Sequence, residues 1–375
     1  MKRRYILWVM AAALLAACNN DADETENGYV PSTEAIVFDA STDEGLTTRA
    51  LGEISDDDAL RVKSFGVFAS YTHNVKYENT SVSPDFMYNQ QVTYDGSWKY
   101  APTKYWPNNV EEDNTTPREY ITFFAYAPYE GNPDGSKCIA TFSEKYDLGD
   151  PWLVYKLAQD PWSATNPQVD LLYGVNADNN EPWYDQKKPD NADKIKFTFK
   201  HALSCIGDLI SIKMGNDLSD RIAGYATITI NKVIINYTNL TSKARLVLNS
   251  QETPDWKQIV SGDVTTSRTL TINTAVALTT TSTDISTGQG LFYIPLQVDI
   301  APQRADITVE YTVNVTAGGT YTGTATGSFD LSTDVGQIGK KQAIALTLNK
   351  DLDLAHLVYA LTSDSATEPS YVRKR

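Results

Sequence analysis

Residues able to do chemistry are few in this chain, and their spacing does not suit catalysis. His73, His201 and His356 lie far apart, and none has a neighbouring ligand at metal spacing. Each reads as an ordinary core or surface histidine. Gly-x-Ser-x-Gly, His-Glu-x-x-His and the phosphate-binding glycine loop do not occur in the sequence. Gly288-Gln-Gly290 lacks the third glycine of a nucleotide loop. Asp56-Asp57-Asp58 lacks the spaced oxygens and glycine of a calcium loop and reads as a solvated charge run. A glycosidase would need two carboxylates converging in a cleft, and nothing in the spacing indicates them. No catalytic residue, metal or cofactor is expected. Cys138 and Cys205 are isolated. They could pair in an oxidising compartment, but they are expected in different domains, as free buried thiols. One feature could bind a ligand: five of the six tryptophans after residue 18 lie between Trp98 and Trp183. Such rings either pack long loops or, exposed, stack on sugars. The alternative function is therefore a surface glycan-binding protein using Trp/Tyr-rich loops.

Cys18 is the remaining reactive group. Lys2, Arg3 and Arg4 precede an apolar run from Ile6 to Ala17, too short to span a bilayer, which takes about 20 residues. The run ends Leu15-Ala16-Ala17-Cys18, which resembles the lipobox of bacterial lipoproteins; an ordinary secretory signal is the alternative. A lipobox cysteine is diacylated after cleavage of residues 1–17, and each buried CH₂ adds about 0.8 kcal/mol of membrane affinity. From Asn19 to Leu60 there are twelve acids and one base, Arg49, a net −11. Such a segment cannot collapse on itself and reads as a tether over 18–49.

The rest of the chain is built to fold. Of 375 residues, 41% are hydrophobic and 21% charged, enough apolar residue for two cores. Formal net charge is −15, which argues against nucleic acid as a partner. Tyr is frequent (22) and Thr abundant, both strand formers. Inside the tether, Ala35–Ala40 makes a short strand with Ile36, Phe38 and Ala40 on one face. Further strands are expected over Arg61–Tyr71, in a hairpin at Val92–Tyr100 turning on Asp95-Gly96, and over Glu119–Pro128, apolar throughout and so buried on both faces. Between Gly131 and Asp193 only Pro167–Asn176 reads as an element. Past Ala192 alternation dominates: Lys194–Leu203, Ala226–Tyr237 with a bulge at Asn231-Lys232, Leu291–Ile300 with Pro295 at an edge, Asp306–Thr316, Thr320–Leu331 and Lys341–Asn349. Before residue 350 there is no long amphipathic helix. The fold class is all-β: two tandem β-sandwiches, at 50–193 and 194–375, after the signal and tether.

Several of these segments together resemble the fimbrillin (Mfa-like) superfamily, subunits and accessory proteins of the type V pilus. They are the lipobox, Glu34-Ala-Ile-Val-Phe38 ahead of Thr48-Arg49, Trp98 to Pro107, Ile121-Thr-Phe-Phe-Ala-Tyr-Ala-Pro128, and Phe197-Thr-Phe-Lys-His-Ala-Leu-Ser204. The resemblance implies a lipoprotein precursor at the outer membrane, acylated on Cys18. It implies a cut by an arginine-specific protease at Arg49-Ala50 and loss of the first strand. The groove left behind takes a C-terminal strand from another pilin subunit, a form of β-augmentation. A host or glycan ligand would complete the list of partners. The donor would be residues 351–365. There Ala355, Leu357, Tyr359 and Leu361 align as a strand, whereas Leu354, Leu357, Val358 and Leu361 align as a helix.

Overall fold

A computed structural model describes residues 29–43, 54–108, 119–159, 168–189, 193–259, 265–286, 292–296, 303–331 and 341–360, with backbone alone at 207–208 and 356–360. The first half of the chain gives β1 (Pro31–Ala35), β2 (Phe38–Thr42), β3 (Phe65–His73), β4 (Met87–Tyr94), β5 (Trp98–Lys99) and β6 (Tyr105–Pro107). It continues with β7 (Glu119–Ala127), β8 (Ile139–Phe142), β9 (Trp152–Lys156), β10 (Leu172–Asn176), β11 (Trp183–Gln186) and β12 (Ile195–His201). The second half gives β13 (Ser204–Met214), β14 (Ala226–Thr241), β15 (Lys243–Val247), β16 (Asp255–Gln258), β17 (Thr265–Ala277) and β18 (Thr283–Asp284). It closes with β19 (Phe292–Ile294), β20 (Arg304–Val315), β21 (Thr320–Asp330), β22 (Lys341–Leu348) and β23 (Leu354–Ala360). Among the described residues the helices are two single-stretch pieces, α1 (Asp57–Lys63) and α2 (Asn216–Ile222). The chain is all-β, as its patterning predicts.

The largest sheet runs β2-β12-β10-β7-β3-β4-β5, with β11 also paired to β7. It is the middle layer of the first half. On one face Ile121, Phe123, Ala125 and Ala127 of β7 join a cluster with Phe38, Phe65 and Phe197. On the other, Phe124 and Tyr126 join Leu153, Tyr155, Leu246 and Trp256, residues of the sheet β16-β15-β9-β8. A strand covered on both sides has no polar face to show, hence the unbroken apolar run of β7. In the second half the antiparallel sheet β17-β14-β20-β21 packs on β18-β13-β22-β23, to which β19 adds through β13. Alternate residues of β14 and β20 (Ile228, Ile230, Val233, Ile235, Ile307, Val309) meet Ile210, Ile212, Ile344 and Leu346 in one core. The register of β14 shifts between Ile230 and Lys232 against both neighbours, where the sequence places a bulge.

Several local expectations are corrected. The segment Ala35–Ala40 is not one strand: β1 pairs with β6, and β2 joins the large sheet. Arg61–Lys63 is the end of helix α1, and β3 starts only at Phe65. The reason is capping. The Asp56 side chain accepts the Ala59 N–H at 2.8 Å, Asp57 and Asp58 fill the first turn, and Arg61 and Lys63 fill the last. The acidic triplet is thus a helix start and not merely a charge run. Residues 131–193 hold β8, β9 and β11 besides β10. These strands span four or five residues, too short for alternation to register, and β9 finds its partner β15 far along the chain. Described strand in 291–300 stops at Ile294, before Pro295. Hydrogen bonding does not divide at residue 193, because β12 lies in the large sheet and β15 and β16 pair back to β9.

Candidate functional site: the edge strand and its apolar groove

The segment from Tyr29 to Asp43 is a guest on the first half. β2 is the outermost strand of the large sheet, and its sheet neighbour is β12. The pairing is parallel, with Phe38 opposite Ile195, Ala40 opposite Phe197 and Thr42 opposite Phe199. Ile195 donates its N–H to the Val37 carbonyl and Asp43 to the Phe199 carbonyl, both at 2.9 Å. On its other side Ile36 donates to the Lys104 carbonyl at 2.9 Å, and the Tyr100 hydroxyl donates to the Ile36 carbonyl at 2.9 Å.

Alternation sets what β2 buries. Ile36, Phe38, Ala40 and Thr42 point inward and are almost fully buried, while Val37 is 38% exposed. The Phe38 ring lies among Tyr100, Phe123, Phe197 and Phe65, at centroid distances of 5.2, 5.8, 6.1 and 6.4 Å. Burying side chains such as Ile36 and Phe38 is worth about 1.5–3 kcal/mol each. A groove stripped of β2 would therefore expose several kcal/mol of apolar surface, together with the unpaired edge of β12.

Polar contacts fasten the two ends of the guest. At the start, the Tyr29 hydroxyl donates to the Tyr105 carbonyl at 2.6 Å. Its ring meets Tyr71 and Phe86 edge-on at 5.4 and 5.2 Å. Burial pushes the Tyr29 phenol up to about 12, against a weaker lowering by that hydrogen bond. At the far end, one Asp57 carboxylate oxygen accepts the Thr42 N–H at 2.7 Å and the Thr42 hydroxyl at 3.1 Å. Ion pairs Lys188–Glu34 and Lys194–Asp39, at 3.4 and 3.7 Å, are solvent-exposed and add little. Downstream, the Ile54 N–H donates to Asp170 at 3.1 Å, a fully buried carboxylate whose other oxygen lies 3.0 Å from His201 Nδ1. Charge in the interior needs such partners.

Of the residues the sequence singles out, Cys18, Arg49 and Ala50 lie outside the described residues, as does Trp162. Arg49 and Ala50 fall between Asp43 and Ile54, both of which are hydrogen-bonded. The C-terminal segment forms a strand and not a helix. β23 pairs antiparallel with β22, Leu348 opposite Leu354 through Gln342 opposite Ala360. An open sheet edge supplies a full ladder of hydrogen bonds, which outweighs a ten-residue helix too short to be stable alone. Residues 361–365 lie outside the described set. His73 sits 2.6 Å from Glu119, which also accepts the Tyr71 hydroxyl. Trp98, Trp106 and Trp256 are buried. Trp256 donates to the Ala202 carbonyl at 2.9 Å, and Trp152 carries the Arg245 guanidinium 4.1 Å above its ring. Cys138 and Cys205 are not joined in a disulfide, though both border the same core cluster. Burial raises the Cys138 thiol above its ordinary value. Asp57 and Asp170 are the site residues that sequence reasoning missed. The capping pattern around Asp56 could have located Asp57, whereas Asp170 carries no local signal.

The model of the fimbrillin-like family matches residues 48–365. The fimbrium subunit Fim1C of Phocaeicola vulgatus is 27% identical over 258 residues, 65% of this chain and 62% of that protein. Two solved structures of candidate cell-adhesion proteins align over most of both chains. One, from Bacteroides uniformis, has 12% identity and a TM-score of 0.42, covering 89% of this chain and 100% of that one. The other, from Bacteroides ovatus, has 15% identity and a TM-score of 0.39, covering 91% and 100%. Because the family match runs from residue 48 to residue 365 and so covers most of the sequence, this chain belongs to the fimbrillin-like family.

Proposed function

We propose that this chain is a fimbrial subunit, exported as a lipoprotein and assembled by strand exchange at the outer-membrane surface. One observation carries the reading. The segment up to Asp43 contributes an outermost strand, parallel to β12, whose inward side chains are its main hold on the fold. Acylation of Cys18 anchors the precursor. Cleavage at Arg49-Ala50 by an arginine-specific protease separates β1 and β2 from the rest, and their departure opens the Phe65, Phe123 and Phe197 groove. A strand from another subunit covers it again, with main-chain hydrogen bonds for affinity and alternate side chains for specificity. Family membership and the likeness to a fimbrium subunit support the same role. No catalytic step belongs to this reading.

The test is to treat delipidated precursor with an arginine-specific protease, take an intact mass, and run the product unboiled on a gel. Cleavage after Arg49 followed by a ladder of multimers is expected. A stable monomer resistant at Arg49 overturns the maturation step.

A further inference from the structure

The outer face of the sheet β16-β15-β9-β8 is basic, in an acidic chain. Ala244, Leu246, Leu153 and Tyr155 turn into the core, so the residues between them turn outward. Register sets Lys243 beside Lys156, Arg245 beside Lys257, and Asp255 one outward pair along. Three adjacent strands thus carry four outward bases and one outward acid, where the whole chain has a net charge of −15. Lys243 and Lys257 are exposed, so this part of the face reaches solvent. It points away from the Phe38 groove, which lies on the far side of the large sheet.

Arg245 is the distinctive group. Its guanidinium lies 4.1 Å above the Trp152 ring. Among the described residues it has no carboxylate partner, and its Nε is buried without an acceptor. Stacking on a fixed ring restricts a long side chain before any ligand arrives. The terminal edge of the fork then matches a carboxylate, two N–H groups to two oxygens. Beyond Trp152, the Asp150 carboxylate accepts the Asn249 amide at 2.8 Å and the Tyr77 hydroxyl at 2.9 Å. Asp150 and Asn249 continue the outward alternation of Trp152 and Val247, and the Leu248 N–H donates to the Pro151 carbonyl there at 2.8 Å. A carboxylate offers about four lone-pair sites, so Asp150 keeps room for a further hydroxyl. From Asp150 to Val154, the cross-strand partner of Arg245, the strand rises by about 13 Å. That span exceeds one sugar ring and suits an oligosaccharide.

We propose that this sheet face binds a saccharide rich in uronic acids, with Arg245 taking a sugar carboxylate and Asp150 a sugar hydroxyl. Lys243 and Lys257 add positive potential beside the fork. An acidic peptide would match the bases but bring no hydroxyl to Asp150, and Asp150 and Asp255 would repel a chain charged at every residue. The site uses a sheet face and not the long loops. It does not rest on strand exchange, because the groove and this face lie on opposite sides of the first half.

The experiment titrates the uncut, delipidated chain by calorimetry with polygalacturonate, with its fully methyl-esterified form and with polyglutamate, at one ionic strength. Binding to polygalacturonate alone is expected. Arg245→Met should weaken it about tenfold, the loss expected for hydrogen bonds to a charged group. Arg245→Lys keeps the charge without the fork and should recover only part of that loss. Lys257→Met alters an exposed side chain, so it keeps the test open if Arg245→Met fails to fold; it should weaken binding, whereas Lys99→Met, outside this sheet, should not. Equal binding of the methyl ester, tighter binding of polyglutamate, equal losses from Lys99→Met and Lys257→Met, or no binding of any of the three polymers would each overturn the proposal. None of these outcomes bears on the ladder of multimers that tests assembly.

Discussion

Phe38 stacks on Phe197, with centroids 6.1 Å apart and ring planes inclined by 25°. The two side chains come from parallel neighbours, β2 and β12, near opposite ends of the first half. Their contact joins a segment rich in acids to the core it closes. Stability of the first half therefore depends on a strand with one sheet neighbour.

Replacing Phe38 by Ala should cost about 3–5 kcal/mol, the range for deleting a buried aromatic ring. Val37→Ala, one residue away on the outward face, should stay within about 0.5 kcal/mol. Urea unfolding of the uncut chain measures both. Equal effects would show that β2 does not sit with Phe38 inward.

Asp57 and Asp56 are adjacent, yet their losses should be felt in different places. Asp57→Ala removes the acceptor of both Thr42 hydrogen bonds, worth about 1–3 kcal/mol, and should speed amide hydrogen exchange in β2. Asp56→Ala removes the cap on the Ala59 N–H, about 1 kcal/mol, and should speed exchange in α1. Identical exchange patterns from the two variants would contradict the separate roles seen here.

Alkaline pH should loosen the start of the guest segment. Burial holds the Tyr29 phenol protonated, raising its pKa from 10.0 to about 12. A folded-state pKa above the unfolded one means that the stabilisation is complete below about 10 and is lost as pH rises through 12. Limited proteolysis ahead of β1 should accelerate across that window. In Tyr29→Phe the added step should vanish, since no phenol remains to ionise; an unchanged profile would remove Tyr29 as the cause.

Cys138 and Cys205 should react slowly with a thiol reagent in the native chain and fully in denaturant. Cys205 is buried away from reagent, and burial raises the Cys138 thiol, so little Cys138 thiolate is present at neutral pH. Rapid native labelling of either residue would mean that the core they border opens readily.

Much of this molecule is legible one strand at a time. The inward set Ile36, Phe38, Ala40, the double-sided burial of β7 and the bulge beside Asn231 all follow from side-chain period. These are local rules, and the residues that obey them lie within a dozen positions of one another. Helix α1 was legible too, through its capping, but the β-prone residues after Arg61 mask it.

Residue types and their order are enough for the class of fold and the apolar face of each long strand. Tertiary structure alone decided which strands meet. β2 beside β12, β9 beside β15, and Asp170 between Ile54 and His201 join segments far apart along the chain. A strand's period states that one face is apolar but not which edge completes its hydrogen bonds. That choice depends on the fit of whole layers, and it placed the edge strand β2 over the aromatic cluster of Phe65, Phe123 and Phe197.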